Sequence, residues 1–339
     1  MTDNNKYNQE PLILAYNYYH LYDKNASRQQ KYFKRLQGLI LILGVLVTLL
    51  ALTQTQLVEL KLFEHAYGDF WNGMLKYLIV LLPITIAAIT SIANRFKEGN
   101  KWILLRAGAE AIKREMFRYR VYKKSIKLPG NSTWEEKLAE KVNRVKDQIA
   151  KTEVNMMHLH KKKEDKKKKK KETLSASKGE PEIPEKDLRL LEPNDYIEYR
   201  LEDQYNFYLD KTEKLERKLK RLYYLIYIIG GLGTLLAANG LELWVALTTT
   251  VAGTLTTYLH YQQVENTLMS YNQAATNLSN IKLWWVALPN EKKEDVKNIL
   301  KLVEKTETAL QNELSGWVQQ MEDAMADIYE KQTDEEPGE

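Results

Sequence analysis

The chain has 339 residues, with 50 lysines and arginines, 45 aspartates and glutamates, and a formal net charge of +5 at pH 7. The absence of cysteine excludes disulfide frameworks, thiolate metal sites and cysteine nucleophiles. With only 15 glycines, 8 prolines and no strand-like alternation, the composition predicts an all-α protein. The mean hydropathy of −0.48 is compatible with a membrane protein, because the apolar residues are gathered into short blocks.

A repeated segment organises the chain. Residues 22–44 and 209–230 begin with Asp23-Lys24 and Asp210-Lys211, pass through a basic stretch and lead into an apolar run. Such self-similarity indicates two copies of one unit, each with a membrane hairpin and long, coiled-coil-like cytosolic helices. The predicted domains are a first repeat at 1–160, a disordered lysine-rich linker at 161–190, a second repeat at 191–331 and an acidic tail at 332–339.

Four apolar runs, each containing about 17 successive uncharged residues, predict four transmembrane helices in two hairpins. Each run is near the lower limit, about 17 residues, for crossing roughly 30 Å of hydrocarbon. Fully buried helices of a soluble core are the alternative. The pairing of the runs, their apolarity on all sides and the aromatic residues at their ends favour the membrane. The predicted spans are 36–53, 75–93, 222–239 and 241–259.

Basic residues are concentrated on one side of the hairpins. The first outer connection, 54–74, carries Lys61 as its only basic residue, and the second is little more than Asn239-Gly240. This asymmetry predicts an inner-membrane protein with both termini and the middle region in the cytoplasm. The predicted headgroup or orientation anchors are Lys34, Arg35, Arg95, Lys220 and Arg221.

The cytosolic segments show helical spacing. The returning helices, 94–125 and 262–288, are expected to continue directly from the spans. Two later helices, 134–159 and 299–328, alternate apolar residues at steps of three and four, which is typical of coiled coils. Packing within the chain and assembly between subunits both explain that spacing. Since the four transmembrane helices of one subunit are too few to enclose a pore, we expect a homo-oligomer.

Sequence motifs for enzyme chemistry are not found. The chain has no phosphate-binding glycine loop, no paired metal-ligand motif and no nucleophile elbow, so we expect neither enzymatic activity nor a cofactor. His158 and His160 fall in a predicted helix, where their rings would point to different faces. The lysine run within 161–187 predicts a solvated tether or a contact with anionic lipid, and without interleaved aromatic residues it does not indicate nucleic-acid binding.

The fourth span contains an unusual number of threonines. Asn239-Gly240 predicts a tight turn before it, and Glu242 would lie at the outer mouth. The threonine hydroxyls could bond to their own helix, with Gly253 permitting close helix packing, or they could line a conduit for ions. The pore-lining candidates are Thr249, Gly253 and Thr256 on one face, Thr250, Thr254 and Thr257 on the next, and Glu242. Secondary candidates in the second span are Thr85, Ser91 and Asn94.

The segment EYRLEDQYNFYLDKTEKLERKLKRL, with Arg200 and Tyr208, resembles the leading helix of the SLATT superfamily of bacterial two-span proteins. The later segment ETALQNELSGWVQQM, with Glu313 and Trp317, resembles the closing helix of that family. The first copy keeps Tyr22, Asp23 and Lys24 but is diverged, and has Met157 in place of the tryptophan. The chain is therefore similar to a tandem form of the superfamily's domain-of-unknown-function branch.

The resemblance implies a membrane effector of bacterial conflict systems, a pore-forming role and a partner in nucleotide signalling. We therefore predict an oligomeric ion channel or pore-forming effector in the lipid bilayer, with permeating ions and a cytosolic helical regulatory region. The alternative is a non-conducting membrane scaffold that docks partners through its cytosolic helices.

Overall fold

The computed structural model describes residues 10–60, 68–128, 130–160 and 183–333, and every regular element within these ranges is helical. The predicted all-α fold is therefore confirmed. The predictions for most of the lysine-rich linker and for the acidic tail concern residues 161–182 and 334–339, which lie outside the described residues.

In the described residues of its first half, the chain forms four long helices and one 3₁₀ turn. Thr133 caps the fourth helix through a capping box, in which it accepts from the backbone N–H of Glu136 at 3.2 Å while its own N–H donates to the Glu136 carboxylate at 3.0 Å. The elements are α1 (Glu10–Glu59), α2 (Gly68–Arg95), α3 (Glu98–Ser125), α4 (Trp134–Ala150) and the 3₁₀ turn Glu153–Met156.

The prediction that one helix runs from 134 to 159 is wrong. The Thr152 hydroxyl donates to the carbonyl of Ile149 at 2.7 Å and accepts from the backbone N–H of Val154 at 3.3 Å. These local bonds compete with the helical pattern, so α4 ends at Ala150 and the 3₁₀ turn follows.

In the described residues of the second half, four long helices follow a short π-helix. Asp295 accepts from the backbone N–H of Lys297 at 3.0 Å and so begins the last helix. The elements are α5 (Glu185–Leu188), α6 (Pro193–Tyr196), the π-helix Ile197–Glu202, α7 (Asp203–Ala238), α8 (Glu242–Tyr261), α9 (Val264–Val286), α10 (Asn290–Lys293) and α11 (Val296–Thr333).

The returning helices are not continuous with the helices before them, contrary to the sequence expectation. Lys97 separates α2 from α3 with a φ of 46°, and Gln263 separates α8 from α9 with a φ of 47°. A left-handed residue other than glycine costs about 1–2 kcal/mol. Both halves therefore place a strained residue at the same step in the order of elements.

The chain divides into two compact units, each built from both halves. The core unit comprises residues 1–29, 100–210 and 270–318, and the apolar unit comprises residues 30–99, 211–269 and 319–339. The predicted repeats describe the order of the sequence, whereas each compact unit combines segments from the two halves.

The core unit buries apolar residues at helical spacing. Helix α11 buries Ile299, Leu302, Val303 and Leu310, which lie at i, i+3, i+4 and i+11 and so share one face. A second cluster joins α1, α3 and α4 through residues such as Leu12, Ile112, Leu138 and Val142. These contacts provide a conventional hydrophobic core for this unit.

The apolar unit has the opposite character. Three described segments, Glu10–Glu59, Gly68–Ser125 and Pro193–Ala238, are long and apolar enough to cross a membrane, and almost none of their apolar stretches is buried. Side chains such as Ile42 and Leu235 are more than 60% exposed. Apolar surface on this scale requires lipid or a protein partner, and the length and apolarity of these segments are those of membrane-spanning helices. The polar threonines of α8 lower its hydropathy, and it is not among these three segments.

The predicted tight turn joins α7 to α8. Gly240 has a φ of 73°, while the backbone N–H of Leu241 donates to Leu236 at 3.0 Å and that of Gly240 donates to Ala237 at 3.1 Å. These two bonds form a Schellman motif, in which glycine tolerates the left-handed position. The second hairpin therefore closes with only three residues between its helices.

Candidate functional site

Helix α8 presents several of its threonines outward. Thr249, Gly253 and Thr256 are exposed, as is Thr257, while Thr250 and Thr254 are partly buried. The expected face is therefore not used for packing within the chain. Glu242, in the first turn of the helix, is also exposed.

The hydroxyls of these threonines bond to their own helix. The hydroxyls of Thr249, Thr250 and Thr256 donate to the carbonyls of Val245, Ala246 and Ala252 at 2.9, 2.8 and 3.0 Å. This arrangement satisfies the only hydrogen of each hydroxyl but leaves its oxygen able to accept. It agrees with the interpretation that the hydroxyls bond to their own helix, and it is compatible with the interpretation that they line a conduit for ions.

The close helix contact of the second hairpin involves Gly233, which the sequence interpretation missed. A Cβ atom at Gly233 would lie 2.7 Å from the Thr248 Oγ1 atom, whereas a Cβ at Gly253 would meet nothing within 4 Å. Within the chain, Gly233 therefore permits the close approach that had been assigned to Gly253. A glycine facing a threonine across a short hairpin is the signal that could have identified it.

Replacing Gly233 with alanine is expected to lower the melting temperature of the protein in detergent. Alanine normally stabilises a helix by about 1 kcal/mol relative to glycine, but here the new methyl group meets the Thr248 hydroxyl oxygen. Gly231→Ala on the same helix has open space and serves as the control. The double variant Gly233→Ala/Thr248→Ala should recover the loss. Equal melting temperatures for Gly233→Ala and the control Gly231→Ala would contradict the assigned contact.

The secondary candidates lie on α2. The Thr85 hydroxyl donates to the Leu81 carbonyl at 2.9 Å, and Pro83 is accommodated inside the helix. Ser91 is exposed and Asn94 is partly buried. The structure places all three of these residues on the same helix, α2.

The predicted anchors are all exposed, but they differ in their surroundings. Lys34 and Arg35 precede the apolar stretch of α1, and Arg95 ends α2. On α7, the Lys220 ammonium pairs with Glu216 at 2.6 Å, whereas Arg221 lines a groove. The two neighbouring basic residues therefore face different environments.

A buried ion pair is built around an arginine of the family motif. Arg200, 2% exposed, donates from Nε and Nη2 to the two carboxylate oxygens of the fully buried Glu307 at 3.0 and 2.8 Å. The Tyr196 hydroxyl donates to the same carboxylate at 2.9 Å. Burial opposes the charged form, but the Glu307 carboxylate, together with Glu110 and Tyr196, raises the pKa of Arg200.

Local structure explains how Arg200 reaches this position. It lies in the π-helix Ile197–Glu202, whose wider turn changes the direction of the side chains relative to α7. Its guanidinium carbon lies 4.8 Å from the centroid of the Phe117 ring, a cation–π contact. Among the described residues, its Nη1 atom has no hydrogen-bond partner. Sequence reasoning selected Arg200 but missed Tyr196, and it included Glu307 only as the first residue of the closing segment.

A second pair joins the same two segments. The Tyr208 hydroxyl donates to a Glu313 carboxylate oxygen at 3.0 Å. Burial, only partly offset by this bond, raises the pKa of Glu313 to about 7. Two residues that the family resemblance selected are therefore brought into direct contact, and one is a carboxyl that changes charge near neutral pH.

The duplicated aspartates have different roles in the two halves. Asp23 pairs with Arg106, which also pairs with Glu110 at 3.1 Å. Asp210 is exposed and forms no ion pair with any residue that the structure describes. Divergence between the copies therefore extends to this shared motif.

The histidine pair is not arranged as predicted. His158 and His160 lie beyond the 3₁₀ turn, outside any helix, and their rings lie edge to face with centroids 4.9 Å apart. The expectation that they point to different faces of a helix was wrong. In the described part of the chain, no group of three or more acidic or histidine side chains could hold a metal ion.

Two family models match the chain, one in each half. Residues 196–317 match the SMODS and SLOG-associating 2TM effector domain 1, and residues 17–125 match a family of proteins of unknown function, DUF4231. No curated protein and no solved structure matches the chain. The first match contains both buried pairs, Arg200–Glu307 and Tyr208–Glu313.

The long apolar helices and this match define a membrane protein that carries a two-span effector domain. Residues 196–317 match the SLATT family, as the resemblance predicted, and the match at 17–125 is consistent with a tandem form.

Proposed function

We propose that the protein is a homo-oligomeric, pore-forming membrane effector that conducts ions along a path lined mainly by α8. The observation that carries the proposal is the outward face of Thr249, Gly253 and Thr256, which lies within the segment that matches the two-span effector domain. Several copies of this face around an axis would form a narrow hydroxyl-lined path, since small side chains allow helices to approach closely.

The hydroxyl geometry supports such a lining. Because Thr249 and Thr256 each donate their hydrogen to a helix carbonyl, their oxygens present acceptor lone pairs outward. Acceptor oxygens can bind water or replace part of the hydration shell of a cation. The same internal bonds also lower the free-energy cost of exposing these hydroxyls to lipid. An experiment must therefore distinguish a threonine face that contacts permeating ions from one that contacts lipid.

The remaining parts of the proposal concern placement and partners. The basic anchors favour an inner-membrane location with both termini in the cytoplasm, where the core unit acts as a regulatory region. Four spans are proposed, with α8 as the fourth. A nucleotide-signalling partner is proposed by analogy with the family. We propose no enzymatic activity, cofactor or nucleic-acid partner.

Replacing Thr249 and Thr256 together with valine is expected to change the unit conductance at least about twofold in planar-bilayer recordings of the purified protein. Valine keeps the shape of threonine but removes both acceptor oxygens from the outward face. Thr234→Val is the matched control, because Thr234 is an exposed threonine of α7 that also bonds to its own helix, at 3.2 Å from the Gly230 carbonyl.

An unchanged unit conductance in the double variant would remove this face from the proposed path. Bilayers that stay silent with the unmodified protein, together with a stable partner recovered in a pull-down, would favour the non-conducting scaffold.

A further inference from the structure

A basic groove lies at the start of the apolar stretch of α7. It has a volume of about 510 Å³ and is lined on one side by Lys214, Arg217, Lys218 and Arg221. These four residues are spaced at i, i+3, i+4 and i+7, so they share one helix face. The groove lies entirely within the apolar unit.

The groove has an excess of uncompensated positive charge. Arg217 pairs with Glu213 at 3.0 Å, but no carboxylate among the described residues forms an ion pair with Lys214, Lys218 or Arg221. Elsewhere on α7, the Glu216–Lys220 pair shows the usual compensation at i, i+4. The positions Lys214 and Lys218 are instead a like-charge i, i+4 pair, which destabilises a helix unless an anion neutralises it.

A neighbouring helix adds to this charge. Lys34 of α1, in the same unit, lies close enough to Lys218 and Lys211 for their charges to repel it. Positive charge therefore converges on this region from two helices. An arrangement of this kind is an electrostatic site for an anion.

The groove also has an apolar wall, which restricts the kind of anion. Leu222 and Leu225 follow the basic residues on α7, and Tyr258 of α8 completes the lining. The Lys218 ammonium lies 4.7 Å from the centroid of the Tyr258 ring. A free phosphate would leave the apolar side uncovered, whereas a phospholipid would place its phosphate on the basic face and its acyl chain against the leucines.

We propose that this groove binds the headgroup phosphate of an anionic phospholipid. The proposal requires that the protein be embedded in a membrane but is independent of whether it conducts ions. The proposal assigns different roles to two neighbouring residues: Arg221 lines the binding groove, whereas Lys220 does not.

The test measures stabilisation of the full-length protein in neutral detergent by dioctanoyl phosphatidylglycerol, dioctanoyl phosphatidylcholine and inorganic phosphate. We expect phosphatidylglycerol alone to raise the melting temperature in a saturable manner. In Lys218→Gln/Arg221→Gln its apparent Kd should rise about tenfold or more, because each basic residue near an anionic headgroup contributes measurably to binding. The charge-retaining variant Lys218→Arg/Arg221→Lys should bind as the unmodified protein does.

Lys31→Gln/Lys220→Gln is the matched control, since it removes the same number of charges from two exposed residues that do not line the groove. It should leave the apparent Kd within about twofold of the original value. Equal losses in the two double variants would reduce the effect to general surface charge and overturn the site. Equal protection by inorganic phosphate would show a free-anion site, and equal protection by phosphatidylcholine would show no anion selectivity, so either result would also overturn the proposal.

Discussion

Replacing Arg200 with alanine is expected to lower the free energy of unfolding of the detergent-solubilised protein by about 3–5 kcal/mol. The variant leaves the Glu307 carboxylate, which is 0% exposed, without its bidentate partner. Only the Tyr196 hydroxyl would still donate to it. The measurement is chemical denaturation followed by tryptophan fluorescence, with Trp285 of the core unit as one buried reporter.

Two further variants distinguish the destabilisation caused by an unpaired buried charge from the net contribution of the ion pair to the free energy of unfolding. Arg144→Ala removes a surface i, i+4 pair whose partners are 58% and 65% exposed, and should cost no more than about 0.5 kcal/mol. The triple variant Arg200→Met/Glu307→Leu/Tyr196→Phe removes both charges of the pair and the tyrosine hydroxyl. It should recover much of the loss, because neither charge of the pair is then left buried without its partner. A loss for Arg200→Ala as small as that for Arg144→Ala would contradict a structural role for the buried pair.

Features determined by neighbouring residues could be predicted from the sequence. The apolar runs correspond to stretches of α1, α2, α7 and α8, because length and apolarity are local properties. The Asn239-Gly240 turn was predictable for the same reason, since Gly240 adopts the left-handed backbone that a tight turn requires.

Breaks in the helices were harder to predict. The bonds of Thr152 end the helical spacing near residue 150, although the apolar pattern continues beyond it. Lys97 and Gln263 adopt left-handed backbone angles without the glycine that usually marks such a position. In each case a specific local geometry overrides a periodic pattern that spans many residues.

The partners of the motif residues could not be predicted, because they lie far apart in sequence. Arg200 and Glu307 are separated by 107 positions, and Tyr208 and Glu313 by 105. The one available signal was that Glu307 follows the buried Thr306 and precedes Leu310 on a largely apolar helix face. A charged residue in that setting indicates a buried partner but does not identify it.

The stability of the core unit is expected to fall as the pH rises from about 4.5 to about 7. Burial of Glu313 raises its pKa from the ordinary 4.5 to about 7, so the folded state binds more protons than the unfolded state within this window. This contribution is fully present below the unfolded pKa and is lost as the pH passes through the folded pKa. Since one pKa unit corresponds to about 1.4 kcal/mol, the change attributable to Glu313 is roughly 3 kcal/mol.

Glu313→Gln should remove this pH dependence, leaving a protein that is more stable than the unmodified chain at pH 8. Chemical denaturation between pH 4 and pH 8 measures the difference. The exposed Glu322, on the same helix, provides the control variant Glu322→Gln, which should keep the original profile.

The charged groups around Glu313 allow the assignment to be tested further. Glu110 raises the pKa of Glu313, whereas Arg106 and the hydrogen bond from Tyr208 lower it, and Tyr271 also interacts with Glu313. Tyr208→Phe removes the donor that favours the charged carboxylate, so it should move the end of the pH window upward while leaving Glu313 in place. A window that stays fixed in Tyr208→Phe, or a pH dependence that survives in Glu313→Gln, would assign the titration to another group. An upward shift of the window in Tyr208→Phe, together with loss of the pH dependence in Glu313→Gln, would assign the titration to the Glu313 carboxyl that Tyr208 contacts.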